Sequence, residues 1–251
     1  MKENAGTSLP RPPDGSATPD HAVAWRHPRV AGVEGRCIGA RSDATVDARR
    51  AKRLAHRIRA VARRERLARV VAASPARRCR AVARWLRRFG FAVRIDARLR
   101  EFDFGAWDGR RWDAIPRAEL DAWCADFADY APGDGDTLAD FLERVRAVRA
   151  DPPAPLLVTH GGWLSALRWL EGRRAGDEPS DDAGDDAGDA EVRGRSTPRA
   201  ADWPPAPACG RALRWRPQRG ATRAVAAAAA AASVAATDTG RAAPGAGVFG
   251  V

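Results

Sequence analysis

Four short apolar runs, Ala22–Trp25, Leu67–Ala73, Phe91–Ile95 and Leu156–Val158, are separated by segments with helical spacing. This alternation is what most narrows the fold. The runs have the length of strands, and Leu156–Val158 is apolar throughout, as a strand buried on both faces must be. From Val46 onward, Ala51, Leu54, Ile58 and Val61 recur on one helix face and arginines fill the other. Ala76–Phe89 reads as a helix ended by Gly90. Pro116–Phe127 starts with a proline at a helix N-terminus and carries Glu119 in its first turn. Thr137 caps a further helix whose Leu138, Phe141, Leu142, Val145 and Val148 share a face, and Asp151-Pro152-Pro153 stops it. Gly162–Leu170 opens a helix directly after the fourth strand. Strands alternating with helices predict an α/β three-layer sandwich: a mainly parallel central sheet with helices on both faces.

In such a sheet, ligands bind beyond the carboxyl ends of the strands. His27, Ser74 and His160 each stand just after a predicted strand, so one shared site is expected there. The local blocks are Arg26-His27-Pro28, Ser74-Pro75-Ala76-Arg77-Arg78, Leu99-Arg100-Glu101 leading to Asp103-Phe104-Gly105-Ala106-Trp107-Asp108-Gly109, and Thr159-His160-Gly161-Gly162. Together they hold what phosphoryl transfer needs. There are two histidines, arginines whose planar forks match phosphate oxygens, and carboxylates able to move a proton.

In that order, these blocks resemble the histidine phosphatase superfamily, also called phosphoglycerate mutase-like. Gly35-Arg36-Cys37-Ile38-Gly39 and the 103–109 block look most like its alpha-ribazole phosphatase branch. The resemblance implies His27 as nucleophile, Arg26 and Arg78 as the phosphate clamp, and Glu101 as general acid and then base, with Asp103 and Asp108 as rival carboxylates. It implies His160 as a cation facing His27 across the phosphate. Gly161, with Gly162, would let the backbone and the following helix N-terminus approach the anion. The chain departs from the family at Pro28, where a glycine is usual, and near Gly32 and Val33, where an asparagine is usual. The loop Gly39-Ala40-Arg41-Ser42-Asp43 is one residue longer. The expected reaction is hydrolysis of a phosphomonoester, alpha-ribazole 5'-phosphate of cobalamin synthesis first. Alternatives are a phosphoglycerate mutase-type or broad-specificity sugar phosphatase, and an inactive phosphate- or nucleic-acid-binding module.

The chain has 251 residues, enough for one core plus extras. Residues 1–20 read as a disordered leader and 21–216 as the phosphatase domain. The acidic stretch at about 172–198 reads as a disordered insertion, and 217–251 as a low-complexity Ala/Gly tail. Trp203–Trp215 resembles the family's closing strand and its lead-in. The net charge of +11 comes mostly from arginines on helix faces. No nucleic-acid-binding motif accompanies it, which disfavours such a partner, while a positive field favours an anionic small-molecule substrate. Cys37, Cys79, Cys124 and Cys209 lack metal-ligand spacing, so no metal is expected; reduced thiols suit a cytoplasmic protein. No glycine-rich nucleotide fingerprint occurs, and no cofactor is expected. There is no signal-peptide core, and the alanine run at 224–236 is too weakly apolar to span a bilayer. Trp112, Trp123 and Phe127 are expected in the core rather than in a cleft. His21 and His56 are expected to face solvent.

Overall fold

The computed structural model describes residues 20–172 and 197–217. All but the last residue of the expected leader, all but the first of the expected tail, and nearly all of the acidic insertion lie outside the described residues.

Five strands form one sheet: β1 (Ala22–Arg26), β2 (Val70–Ala73), β3 (Ala92–Ile95), β4 (Leu156–Thr159) and β5 (Ala212–Trp215), in the order β3-β2-β4-β1-β5. The first four run parallel, and β5 is antiparallel to β1. Five α-helices accompany them: α1 (Ala48–Arg64), α2 (Arg77–Arg88), α3 (Arg117–Ala125), α4 (Leu138–Ala150) and α5 (Gly161–Leu170). The expected three-layer α/β sandwich is present.

Alternation along the strands divides their side chains between two cores. Val23, Trp25, Val71, Ala73, Leu156 and Val158 face α1 and α2, packing on Leu54, Ile58, Val82 and Leu86. Ala22, Ala24, Ala72 and Leu157 face α4 and α5, packing on Phe141, Val145, Trp163 and Leu167. The central strands are therefore apolar on both faces, as a parallel sheet covered twice requires. A third cluster, beyond the sheet, joins Cys37, Trp107 and Ile115 to the half-buried Trp112 and Trp123. Trp107, Trp123 and Phe127 form a chain of ring contacts with centroids 5.3 to 5.8 Å apart, so Trp123 and Phe127 serve packing.

Two strands start later than their apolar runs suggest. Leu67 is buried, but its N–H bonds back to the Ala62 carbonyl at 2.9 Å, closing α1 through left-handed Arg66. Phe91 does the same for α2, bonding the Leu86 carbonyl at 3.1 Å beyond left-handed Gly90. Each apolar residue packs a helix C-terminus, the hydrophobic contact that such caps favour. Caps also fix the helix starts. Asp47 accepts from the Arg50 N–H at 2.9 Å, and Thr137 from the Asp140 N–H at 3.1 Å. Among the described residues no helix is long and apolar enough to cross a membrane.

Candidate active site

The ends of β1, β2 and β4 are adjacent, and hydrogen bonds tie the residues beyond them. The His27 N–H donates to the Thr159 carbonyl and the Ser74 N–H to the Val158 carbonyl, both at 3.0 Å. His27, Ser74 and His160 thus converge at the carboxyl edge of the sheet. The His27 and His160 rings stand edge to face with centroids 5.2 Å apart.

His27 is 8% exposed, and its Nδ1 donates to the Pro28 carbonyl at 2.7 Å. That bond fixes the tautomer and leaves Nε2 with its lone pair. Pro28 keeps the carbonyl this needs, so the departure from the family's glycine leaves the histidine oriented. Burial, with Arg78 and Arg26 nearby, lowers the His27 pKa to about 3. The ring is neutral across the physiological range, as a nitrogen nucleophile must be.

Arg78 is 1% exposed. Its Nη2 donates to the Gly39 carbonyl at 2.8 Å, Nη1 to the Ser42 carbonyl, and Nε to His160 Nδ1 at 3.1 Å. Arg26 donates from Nη1 to the Pro207 carbonyl at 2.6 Å, and its buried Nε has no partner. Among the described residues, neither guanidinium has an ion pair. Buried charges are normally paired, so the buried Arg78 guanidinium, with half-buried Arg26 beside it, suits an incoming anion.

His160 is fully buried. Its Nδ1 accepts from Arg78, so its Nε2 carries the proton and donates to Ser74 Oγ at 2.7 Å. The expected cation is corrected here: burial, then the charge of Arg78, holds the His160 pKa well below its ordinary value, and the ring is neutral. A charged imidazole beside two guanidiniums in a dry site is too costly.

Glu101 is 8% exposed and lies at the start of α5. Its Oε2 accepts from the Gly162 N–H at 3.0 Å, and its Oε1 from the N–H groups of Trp163 and Phe102, each at 3.1 Å. Burial raises its pKa, and these amide N–H groups, with Arg78 and Arg26, offset only part of that rise. A proton-transferring carboxyl benefits from such a shift. The helix N-terminus after His160, expected to approach the anion, instead holds this side chain through the amides of Gly162 and Trp163. A Cβ on Gly162 would lie 2.6 Å from Glu101 Oε1, and one on Gly161 would lie 2.9 Å from Arg26 Cζ. Gly161 therefore makes room for the Arg26 guanidinium.

The rival carboxylates have other partners. Asp103 pairs with Arg41 at 2.8 Å, and Asp108 binds the loop at 39–42. His56 is exposed as expected, whereas His21 is half-buried against Glu65 at 3.0 Å. Ser74, marked in the sequence by its strand-end position and by the block it opens but given no role there, belongs to the site as the partner of His160. Among the described residues, no cluster of three or more His, Cys, Asp or Glu side chains forms a metal site.

Residues 23–177, more than half of the chain, match the model of the histidine phosphatase superfamily (branch 1). Over 98 residues the chain is 37% identical to the glucosyl-3-phosphoglycerate phosphatase of Mycobacterium tuberculosis, a stretch covering 32% of this chain and 43% of that one. The chain thus spans less than half the length of the curated relatives it matches. A variant of the Thermus thermophilus protein TTHB049 shares the fold, with a TM-score of 0.53 at 23% identity over 79% of this chain and 95% of the other.

Proposed function

Because the chain belongs to the histidine phosphatase superfamily (branch 1), we propose that it is a phosphomonoesterase working through a phosphohistidine on His27. The observation that carries this reading is the neutral His27–His160 pair, 5.2 Å between centroids, beside the buried and ion-pair-free guanidinium of Arg78.

In the first step His27 Nε2 forms a bond to phosphorus while the bond to the ester oxygen breaks. Glu101, protonated, gives its proton to that leaving oxygen. Arg26 and Arg78 offset charge on the transferring phosphoryl oxygens. In the second step water attacks phosphorus, the N–P bond breaks, and the Glu101 carboxylate takes the water's proton. Neutral His160 holds the Arg78 fork in place and backs the His27 ring. No step calls for a metal or a cofactor.

For the substrate, the 35–39 and 103–109 blocks favour alpha-ribazole 5'-phosphate, and the curated relatives favour a phosphorylated glycosyl glycerate. Reduced Cys37, Cys79, Cys124 and Cys209 support a cytoplasmic setting. The test is hydrolysis in EDTA of p-nitrophenyl phosphate, alpha-ribazole 5'-phosphate and glucosyl-3-phosphoglycerate, beside His27→Ala. Turnover abolished in the variant is the expected result, and the fastest ester assigns the branch. Transfer of the phosphoryl group between acceptors without phosphate release would indicate the mutase reading. A folded wild type that hydrolyses none of the three would favour the inactive module.

A further inference from the structure

The Arg78 guanidinium is held by main-chain carbonyls rather than by a carboxylate, and the loop that supplies them is itself held by one. Asp108 Oδ1 accepts from the Gly39 N–H at 3.2 Å. Its Oδ2 accepts from the N–H of Arg41 at 2.7 Å and of Ser42 at 3.2 Å, and the Ser42 hydroxyl also donates to the carboxylate. Gly39 and Ser42 are the two residues whose carbonyls receive Arg78. The same two residues thus point their N–H groups at Asp108 and their C=O groups at Arg78.

Asp108 is also set by its own turn, its N–H donating to the Gly105 carbonyl at 3.2 Å, and its stretch pairs with Cys37 just before the loop. The Gly109 N–H donates to the Cys37 carbonyl at 2.7 Å, and the Cys37 N–H to the Arg110 carbonyl at 2.8 Å. A side chain on Gly39 would put its Cβ 2.6 Å from the Phe102 carbonyl and 2.9 Å from Asp108 Oδ2, so the loop can lie this close only with glycine there. At its far end Asp43 pairs with Arg77 at 2.8 Å, anchoring the loop to α2 beside Arg78.

We propose that Asp108 is a positioning residue for the phosphate clamp. Through the 39–42 loop it fixes the two carbonyls that aim the Arg78 guanidinium, without forming an ion pair with it. The inference rests on the phosphatase reading. The indirect arrangement has a chemical reason. A carboxylate directly on Arg78 would compete with a phosphoryl dianion for the same fork, whereas neutral carbonyls orient the guanidinium and leave its charge available. The Asp108 charge is taken up by four loop donors instead.

A double-mutant cycle tests this, with orthovanadate as the ligand and calorimetry as the readout, so binding is scored without turnover. Asp108→Ala is expected to weaken vanadate by about tenfold, the scale of losing one oriented charge-assisted contact. In an Arg78→Met background the same substitution should cost less than about twofold, because its effect runs through the missing side chain. Equal losses in both backgrounds would overturn the inference, since a general structural defect multiplies through. If Asp108→Ala does not fold, Asp108→Asn carries the cycle; it keeps one accepting oxygen and should give a smaller loss, again absent without Arg78. An Asn variant with unchanged affinity in both backgrounds also overturns it. A wild type that binds vanadate yet hydrolyses no ester removes the phosphatase reading, and the cycle still decides the role of Asp108.

Discussion

At the residue scale, the site depends on small clearances. Gly162 leaves room for Glu101, and its own N–H holds Oε2. Gly162→Ala is therefore expected to push the carboxyl off its amides and lower kcat by about 10²-fold, the usual worth of a placed general acid. Its melting temperature should change little, because the added methyl meets a side-chain tip; a kcat within about twofold of wild type would contradict the placement of Glu101. The two buried neutral histidines also make stability depend on pH. His27 is lowered to about 3 and His160 well below 6.5, while unfolding returns both to ordinary imidazoles. The unfolded chain then binds more protons below about pH 6.5, so stability falls as pH drops through that value. Each histidine contributes a slope of up to about 1.4 kcal/mol per pH unit. Glu101, raised by burial, works the other way from 4.5 upward, one proton against two. Urea midpoints should be lower at about pH 5.5 than at about pH 7.5, and His160→Asn should flatten the difference. Much of this site was legible in the sequence, because strand ends announced His27, Ser74 and His160. The amide cradle of Glu101, the Arg78–His160 bond and the neutral state of His160 were not. Their partners stand 61 and 82 residues away in the chain, where no local spacing records them.

At the scale of elements, short apolar runs and period-3.6 patterns with their end signals identify the parallel strands β1 to β4 and helices α1 to α5, since burial on both faces of a sheet or along a helix stripe imposes those patterns. The short antiparallel β5 was legible only through the family likeness of Trp203–Trp215. Starts were read less well for a specific reason: Leu67 and Phe91 are apolar because they close helices, and they sit next to strands. The segment after Glu101 has a constraint the pattern does not express. Gly105, at φ +55°, lies so close to the 133–135 turn that a Cβ would stand 1.8 Å from the Gly133 carbonyl oxygen. Here two stretches of main chain meet without side chains between them. Gly105→Ala adds a backbone clash to a left-handed strain and is expected to destabilise by more than about 2 kcal/mol. Denaturant titration checks it, and a loss below about 0.5 kcal/mol, the ordinary surface range, would mean the two segments separate freely.

At the scale of the whole molecule, charge and topology act together. Helices α1 and α2 contain no Asp or Glu, and their arginines cover one side of the sheet, with Arg78 at the α2 start turned inward. Such a field draws anions and is screened by salt over about 8–10 Å. Raising NaCl from about 0.05 to 0.5 M should lower kcat/KM severalfold with kcat nearly constant; no change would show that local contacts alone govern capture. The strand order has a consequence in time. β4 lies between β1 and β2, and both register on the same stretch of it, Val23 and Val71 alike opposite Leu156. A chain emerging from the ribosome therefore holds Arg26, His27 and Arg78 in segments that have no sheet neighbour in common until residue 156 arrives. Insertion of that one late strand brings His27, Arg78 and His160 to a shared edge, whereas Arg26 gains its Pro207 carbonyl only with the still later 197–217 segment, so a nascent chain that ends between the two holds an incomplete clamp.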